Sequence, residues 1–205
     1  MSANCCETPS SAVPGYGRVL WIALVVNAAM FVVEVFAGLF AGSLSLQADA
    51  LDFLGDAGNY ALSLWAASRG LRVRAGVATV KGITMGLFGV WVLARAVAGV
   101  AGGDVPQAEV MGLTGLGALV ANLGVAALLY RYRNGDSNMR SVWLCTRNDV
   151  LGNVAVLLAA SGVLALSSRW PDLLVAAVIS SLALGGAAQI LGQAQRERQR
   201  SCTGR

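Results

Sequence analysis

There is no histidine in this chain of 205 residues, and charge is scarce: Asp, Glu, Lys and Arg together make up 13%. Without imidazole, a metal centre here has only carboxylate, thiolate, amide or backbone ligands to draw on. Aromatic residues are few at 7%, and of four prolines two, Pro9 and Pro14, fall in the polar first 17 residues. That opening stretch has neither the basic start nor the cleavage site of a secretory signal. Cysteine is too sparse and badly placed for a disulfide framework. Cys5 and Cys6 are adjacent near the N-terminus, Cys145 lies in an apolar run and Cys202 is near the C-terminus. No Gly-rich phosphate loop is present, which excludes nucleotide-driven work, and no segment is of low complexity.

Apolar residues are abundant. They make up 56% of the chain, and mean hydropathy is +0.64, a membrane composition rather than a soluble one. A spanning helix needs about 20 predominantly apolar residues, and six such segments can be marked, roughly 18–41, 44–67, 77–99, 109–130, 141–166 and 171–192. The expected architecture is all-α and polytopic: an N-terminal tail over 1–17, a six-helix transmembrane unit over 18–192 and a basic tail over 193–205. A net charge of +4 would suggest nucleic acid as partner of a soluble protein; here its distribution reports topology. Arg18, Arg69, Arg72, Arg74, Lys81, Arg131, Arg133, Arg140 and the arginines after Gln193 fall on one side when both termini are there, against Arg95 and Arg169 on the other. The positive-inside rule places both termini in the cytoplasm of a bacterial inner membrane, with the tail as an anchor to anionic lipid.

Five acidic residues nevertheless lie within these apolar stretches: Glu34, Asp49, Asp52, Asp56 and Asp149. Asp49, Asp52 and Asp56 stand at i, i+3 and i+7, one stripe of a helix. A carboxylate at membrane depth costs several kcal/mol and is rare outside functional sites, and three on one stripe repel each other unless a cation sits among them. Cys145 and Asp149 are likewise one turn apart. At 1.5 Å per residue Asp52 and Asp56 lie about 12–18 Å deep from one face, and Cys145 and Asp149 roughly 8–14 Å from the other. Facing each other, the two pairs supply three carboxylates and one thiolate, a set suited to tetrahedral Zn²⁺ or a similar divalent ion.

The run from Asn27 and Glu34 through Gly42-Ser-Leu-Ser-Leu-Gln-Ala-Asp49-Ala-Leu-Asp52-Phe-Leu-Gly-Asp56 resembles the first two helices of the cation diffusion facilitator family. Asn138-Met-Arg-Ser-Val-Trp-Leu-Cys145-Thr-Arg-Asn-Asp149-Val-Leu-Gly-Asn153 resembles that family's fifth helix, and the likeness runs from about Val19 to Ile190. The resemblance implies a homodimer of six-helix subunits that exports divalent transition metals in exchange for protons, with Asp52, Asp56, Cys145 and Asp149 as ligands and the first, second, fourth and fifth helices around them. Cys145 stands where the family pattern has His, which bears on metal choice. The chain also stops soon after the sixth helix, so the family's usual cytoplasmic domain is expected to be missing, as in its short members.

Other acidic and polar positions have two readings each. Asp49 fits support of its neighbours better than direct ligation. Glu34 either pairs with a polar neighbour such as Asn59 or lies on the ion path. Asn27, Asn122, Asn148 and Asn153 read as hydrogen-bond links between helices. Cys5 and Cys6 either capture metal from the cytoplasm or sit in a plain tail. The expectation is a secondary transporter, not an enzyme, with no permanently bound cofactor. Its cargo is Zn²⁺, or Cd²⁺, Co²⁺ or Fe²⁺, and its partners are protons, lipid and a second copy of itself. The alternative is a non-transporting membrane partner or metal-sensing subunit of the same fold.

Overall fold

A computed structural model of the chain describes residues 14–66, 71–134 and 137–203. Among the described residues there is no strand. Six helices follow in order: α1 (Tyr16–Ala41), α2 (Leu44–Ala61) with a π-helical turn continuing it over Leu62–Ala66, α3 (Leu71–Gly99), α4 (Ala108–Tyr130), α5 (Ser137–Leu166) and α6 (Trp170–Thr203). Each expected segment coincides with a helix; α1, α3, α4, α5 and α6 begin one to six residues earlier than expected, and α2 passes into the π-helical turn at Leu62. The main difference lies at the C-terminus, where α6 carries helix on through most of the basic stretch after Gln193.

The burial pattern is the reverse of a soluble protein's. On α1 the buried face carries Asn27 and Glu34, while Trp21, Val25, Val32, Phe36 and Phe40 are exposed. On α4 Asn122 is buried and Leu113, Val120 and Leu123 are exposed. Apolar residues outward and polar residues inward is the arrangement that a hydrocarbon solvent selects. Five helices are long and apolar enough to cross a membrane. α2 is not one of them, because three aspartates in 18 residues dilute it. It is instead wrapped by protein and touches all five other helices. The polar helix is tolerated because it is kept out of lipid.

α1 pairs chiefly with α2, α4 with α5 and α3 with α6. Contacts of α1 with α4 and of α2 with α5 close the first two pairs into a four-helix group, as the family resemblance implied. The α3–α6 pair packs along α2, with Gly82 admitting α6: a Cβ there would lie 2.8 Å from Leu191 Cγ. Gly82 and Gly86 stand four apart, a small-residue spacing that permits close helix contact.

The turn between α1 and α2 is fixed residue by residue. Gly42 ends α1 in the left-handed region at φ 67°, its N–H reaching back to the carbonyls of Gly38 and Leu39, and Ser43 N–H donates to Gly38 O at 2.9 Å, a glycine stop of the Schellman kind. Ser43 then caps α2, its hydroxyl accepting from Leu46 N–H at 3.2 Å. A second cap comes from α6. Asp172, buried at 1% exposure, accepts from the Ser43 hydroxyl (2.7 Å), Leu44 N–H (2.8 Å) and Ser45 N–H (3.0 Å). This carboxylate at the positive end of α2 satisfies donors the helix cannot satisfy itself and sets the height at which α2 and its aspartates sit.

A candidate cation site between the second and fifth helices

α2 presents Asp49, Asp52 and Asp56 to α5, whose facing side carries Thr146, Asp149, Gly152 and Asn153. Asp49 is fully buried and Asp56 is 6% exposed. Asp56 and Asp149 come within hydrogen-bonding reach of each other, and Asp52 lies close enough to act electrostatically on Asp149. Two carboxylates that near in a low dielectric cannot both stay charged without a proton or a cation between them. Of the four expected ligands, Asp56 and Asp149 thus meet from two helices, while Asp52 acts on them electrostatically from farther off. The fourth, Cys145, lies on α5 one turn before Asp149, with its side chain outside the described residues. Among the described residues no three acidic or thiol groups form a ready metal cage.

Hydrogen bonds aim the carboxylates. Tyr60 donates its O–H to Asp56 Oδ2 at 2.7 Å, and Tyr60 and Thr146 share a further bond of 2.7 Å between their hydroxyls. Toward the α1–α2 turn, Asn122 Nδ2 donates to Asn153 Oδ1 (2.9 Å) and Asn153 Nδ2 donates to Asp49 Oδ2 (2.7 Å). This chain links α4, α5 and α2, and bonds of its kind contribute roughly 0.6–2 kcal/mol each within a bilayer. Gly152 sits between the two groups: a methyl placed on it would lie 3.5 Å from Asp49 Oδ1 and 3.6 Å from Asp52 Oδ2.

The remaining sequence candidates separate clearly. Glu34 of α1 is fully buried and faces Asp49, with Asp52 close enough to act on it electrostatically. Asn59 is not its partner: Asn59 Oδ1 accepts a hydrogen bond from Lys81 Nζ. Asn27 bonds back to Ala23 O of its own helix at 2.8 Å rather than across to another. Cys5 and Cys6, and the side chains of Arg147 and Asn148, lie outside the described residues.

Sequence reasoning passed over four residues. Tyr60 stands at i+4 from Asp56, a spacing that could have singled it out, and Thr146 adjoins Cys145 in the fifth-helix motif. Lys81, read as a topology marker, lays its stem against Gly58, where a Cβ would come 2.8 Å from Lys81 Cδ, and its ammonium acts on Asp56 electrostatically. Asp172, at the start of α6, is marked by no pattern in the sequence.

A family model of the cation efflux transmembrane domain matches residues 20–194. Fold and match together define a membrane transporter of cations. The chain belongs to the cation diffusion facilitator family. No curated protein gives a significant match to it.

Proposed function

We propose that this chain exports a divalent transition metal, Zn²⁺ foremost and Cd²⁺ comparably, from the cytoplasm across a bacterial inner membrane, in exchange for protons and as a homodimer. The observation that supports this best is the meeting of Asp56 and Asp149, from different helices, in the interior of the bundle beside Asp52. The cargo would be held by Asp52, Asp56, Asp149 and the Cys145 thiolate, a set of borderline-soft character. Tyr60 and Thr146 would hold Asp56 in place, and the ammonium of Lys81 would offset part of the negative charge when no metal is present.

Coupling follows from ligand chemistry. Carboxylate and thiol groups bind metal only when deprotonated, so loading the ion releases protons and protonation from the far side ejects it. Alternate exposure of one site to two solutions converts that competition into exchange, and no single residue owns the exchanged proton.

The test uses purified protein in proteoliposomes containing a metal indicator and a pH indicator. Zn²⁺ movement against a counterflow of protons, accelerated by an acidic solution on the side that receives the metal, is the expected result. Metal uptake indifferent to the pH gradient would defeat the exchange, and an inert protein would leave the fold serving as a partner subunit. Conductance far above carrier rates would indicate a channel.

A further inference from the structure

Glu34 has no part in the four-ligand set, yet it is a completely buried carboxyl group. Its side chain is 0% exposed, and neither carboxylate oxygen finds a hydrogen-bond donor among the described residues. It faces Asp49, also 0% exposed. One oxygen of Asp49 is held by Asn153 and the other, Oδ1, has no donor either. Three carboxylate oxygens of these two side chains thus find no donor among the described residues except the facing carboxyl itself, which lies within hydrogen-bonding reach. Buried acceptors of this kind are rarely left empty, and two facing carboxylates require a proton or a cation between them.

The position of this pair relative to the first site gives it a purpose. Glu34 is seven residues before the end of α1 at Ala41 and Asp49 five residues after the start of α2 at Leu44, so both lie roughly 7–11 Å below the α1–α2 turn. Asp52 and Asp56 lie deeper, at about 12–18 Å. The acidic groups therefore descend in steps from that turn, and Gly152 leaves open the space between the Asp49 and Asp52 carboxylates. Charge distribution places the α1–α2 turn outside the cell.

We infer that Glu34 and Asp49 form a second divalent-cation position, through which the ion passes on its way out from the Asp52–Asp56–Asp149 site. This rests on the transport reading above and adds an exit stage to it. Its ligands are oxygen only, with no thiolate and no imidazole, so it holds Zn²⁺ or Cd²⁺ less tightly than a site with sulfur does. A weaker site downstream of a tighter one is what release requires. Asn153 is a positioning residue, fixing one oxygen of Asp49 so that the other points toward Glu34.

The test counts bound ions. Purified protein in nanodiscs is dialysed against rising free Cd²⁺, and bound metal is measured per protomer for the wild type, Glu34→Gln and Asp52→Asn. The expected counts are two for the wild type and one for each single variant, with the ion retained in Glu34→Gln held the more tightly. Retention of that ion also shows that each variant is folded. Should Glu34→Gln not fold, Asp49→Asn and Glu34→Asp put the same question. A wild-type count of one that vanishes in Asp52→Asn and persists in Glu34→Gln overturns the second position, leaving a shared proton only, and spares the first site. A count of one with the opposite dependence upholds the pair and overturns the four-ligand site. A count of zero overturns both.

Discussion

Replacing Asp172 with Ala should destabilise the protein more than any other single change outside the acidic centre, although Asp172 approaches none of the proposed ligands. Its carboxylate is buried and accepts three hydrogen bonds from the first turn of α2. Two of the donors, Leu44 N–H and Ser45 N–H, belong to residues that are themselves buried. With Ala at 172 they lose their acceptor, and each orphaned buried donor costs about 1–3 kcal/mol. The Ser43 hydroxyl fares better, because Ser45 Oγ stands 3.3 Å away to receive it. Loss of a negative charge from the positive end of α2 adds roughly 0.3–1 kcal/mol. The sum is about 2–7 kcal/mol, and at ~2–4 °C per kcal/mol for a chain of this size the melting temperature should fall by roughly 5–28 °C. Ser43→Ala, which removes the Leu46 cap and one donor to Asp172, should cost only about 1 kcal/mol. Asp172→Asn keeps one acceptor oxygen and should fall between the two.

The assay is thermal unfolding of detergent-solubilised protein followed by size-exclusion chromatography, with Zn²⁺ transport measured below the transition. Transport by Asp172→Ala should fall as well, since the height of α2 in the bundle fixes where Asp52 and Asp56 meet Asp149. A melting temperature within ~2 °C of wild type would refute the reasoning, because the accounting leaves no room for so small a change.

Replacing Asp52 or Asp56 with Ala should abolish transport at normal abundance in the membrane, since an intramembrane charge is removed and helix insertion does not suffer; transport at the wild-type rate would dismiss the proposed ligands. Tyr60→Phe leaves Asp56 Oδ2 with Thr146 at 3.5 Å as its remaining neutral donor, so metal affinity should drop several-fold, by about 1 kcal/mol, as read by Zn²⁺ titration of transport. Lys81→Gln removes a cation that competes with the cargo near Asp56 and should lower the apparent KM for Zn²⁺ by roughly tenfold, on the order of 1–2 kcal/mol. For Cys145, Cd²⁺ and Zn²⁺ uptake into inverted vesicles should show Cys145→Ser losing Cd²⁺ more than Zn²⁺ and Cys145→His shifting preference away from Cd²⁺; one ratio across all three forms would remove Cys145 from the ligand set.

The sequence was most legible where a physical rule is strict. Hydrocarbon admits few interruptions, so five of the six marked runs coincide with apolar helices and the second with the polar α2, although α3 begins six residues before its run and α6 ends eleven after; the grouping of α1 and α2 with α4 and α5 agrees with the family resemblance. Spacing along one helix was equally readable: Asp49, Asp52 and Asp56 share the face of α2 that meets α5. Relations between helices were not. Nothing in the run Trp170-Pro171-Asp172 indicates that its carboxylate caps a helix more than 120 residues earlier in the chain. Nor does Lys81, among a dozen basic residues that obey the positive-inside rule, announce that its stem lies on Gly58 and its ammonium beside Asn59. A topology signal and a site signal share one residue, and composition alone credits the first.

α2 shows why the site has to be where it is. The helix is too polar to count among the five apolar spans of the described residues, and its three aspartates include two of the proposed ligands. It can reside at membrane depth only if neighbours cover it, and α1, α3, α4, α5 and α6 all do. Each covering helix contributes a polar group aimed at it or at its partners: Glu34 from α1, Lys81 from α3, Asn122 from α4 through Asn153, Asp149 from α5 and Asp172 from α6. The same enclosure that keeps the aspartates out of lipid thus supplies hydrogen bonds to them and, from Lys81, a counter-charge to Asp56. A substitution on any of these five helices that releases its contact should act on α2, and through α2 on the acidic centre, without touching a carboxylate of that centre.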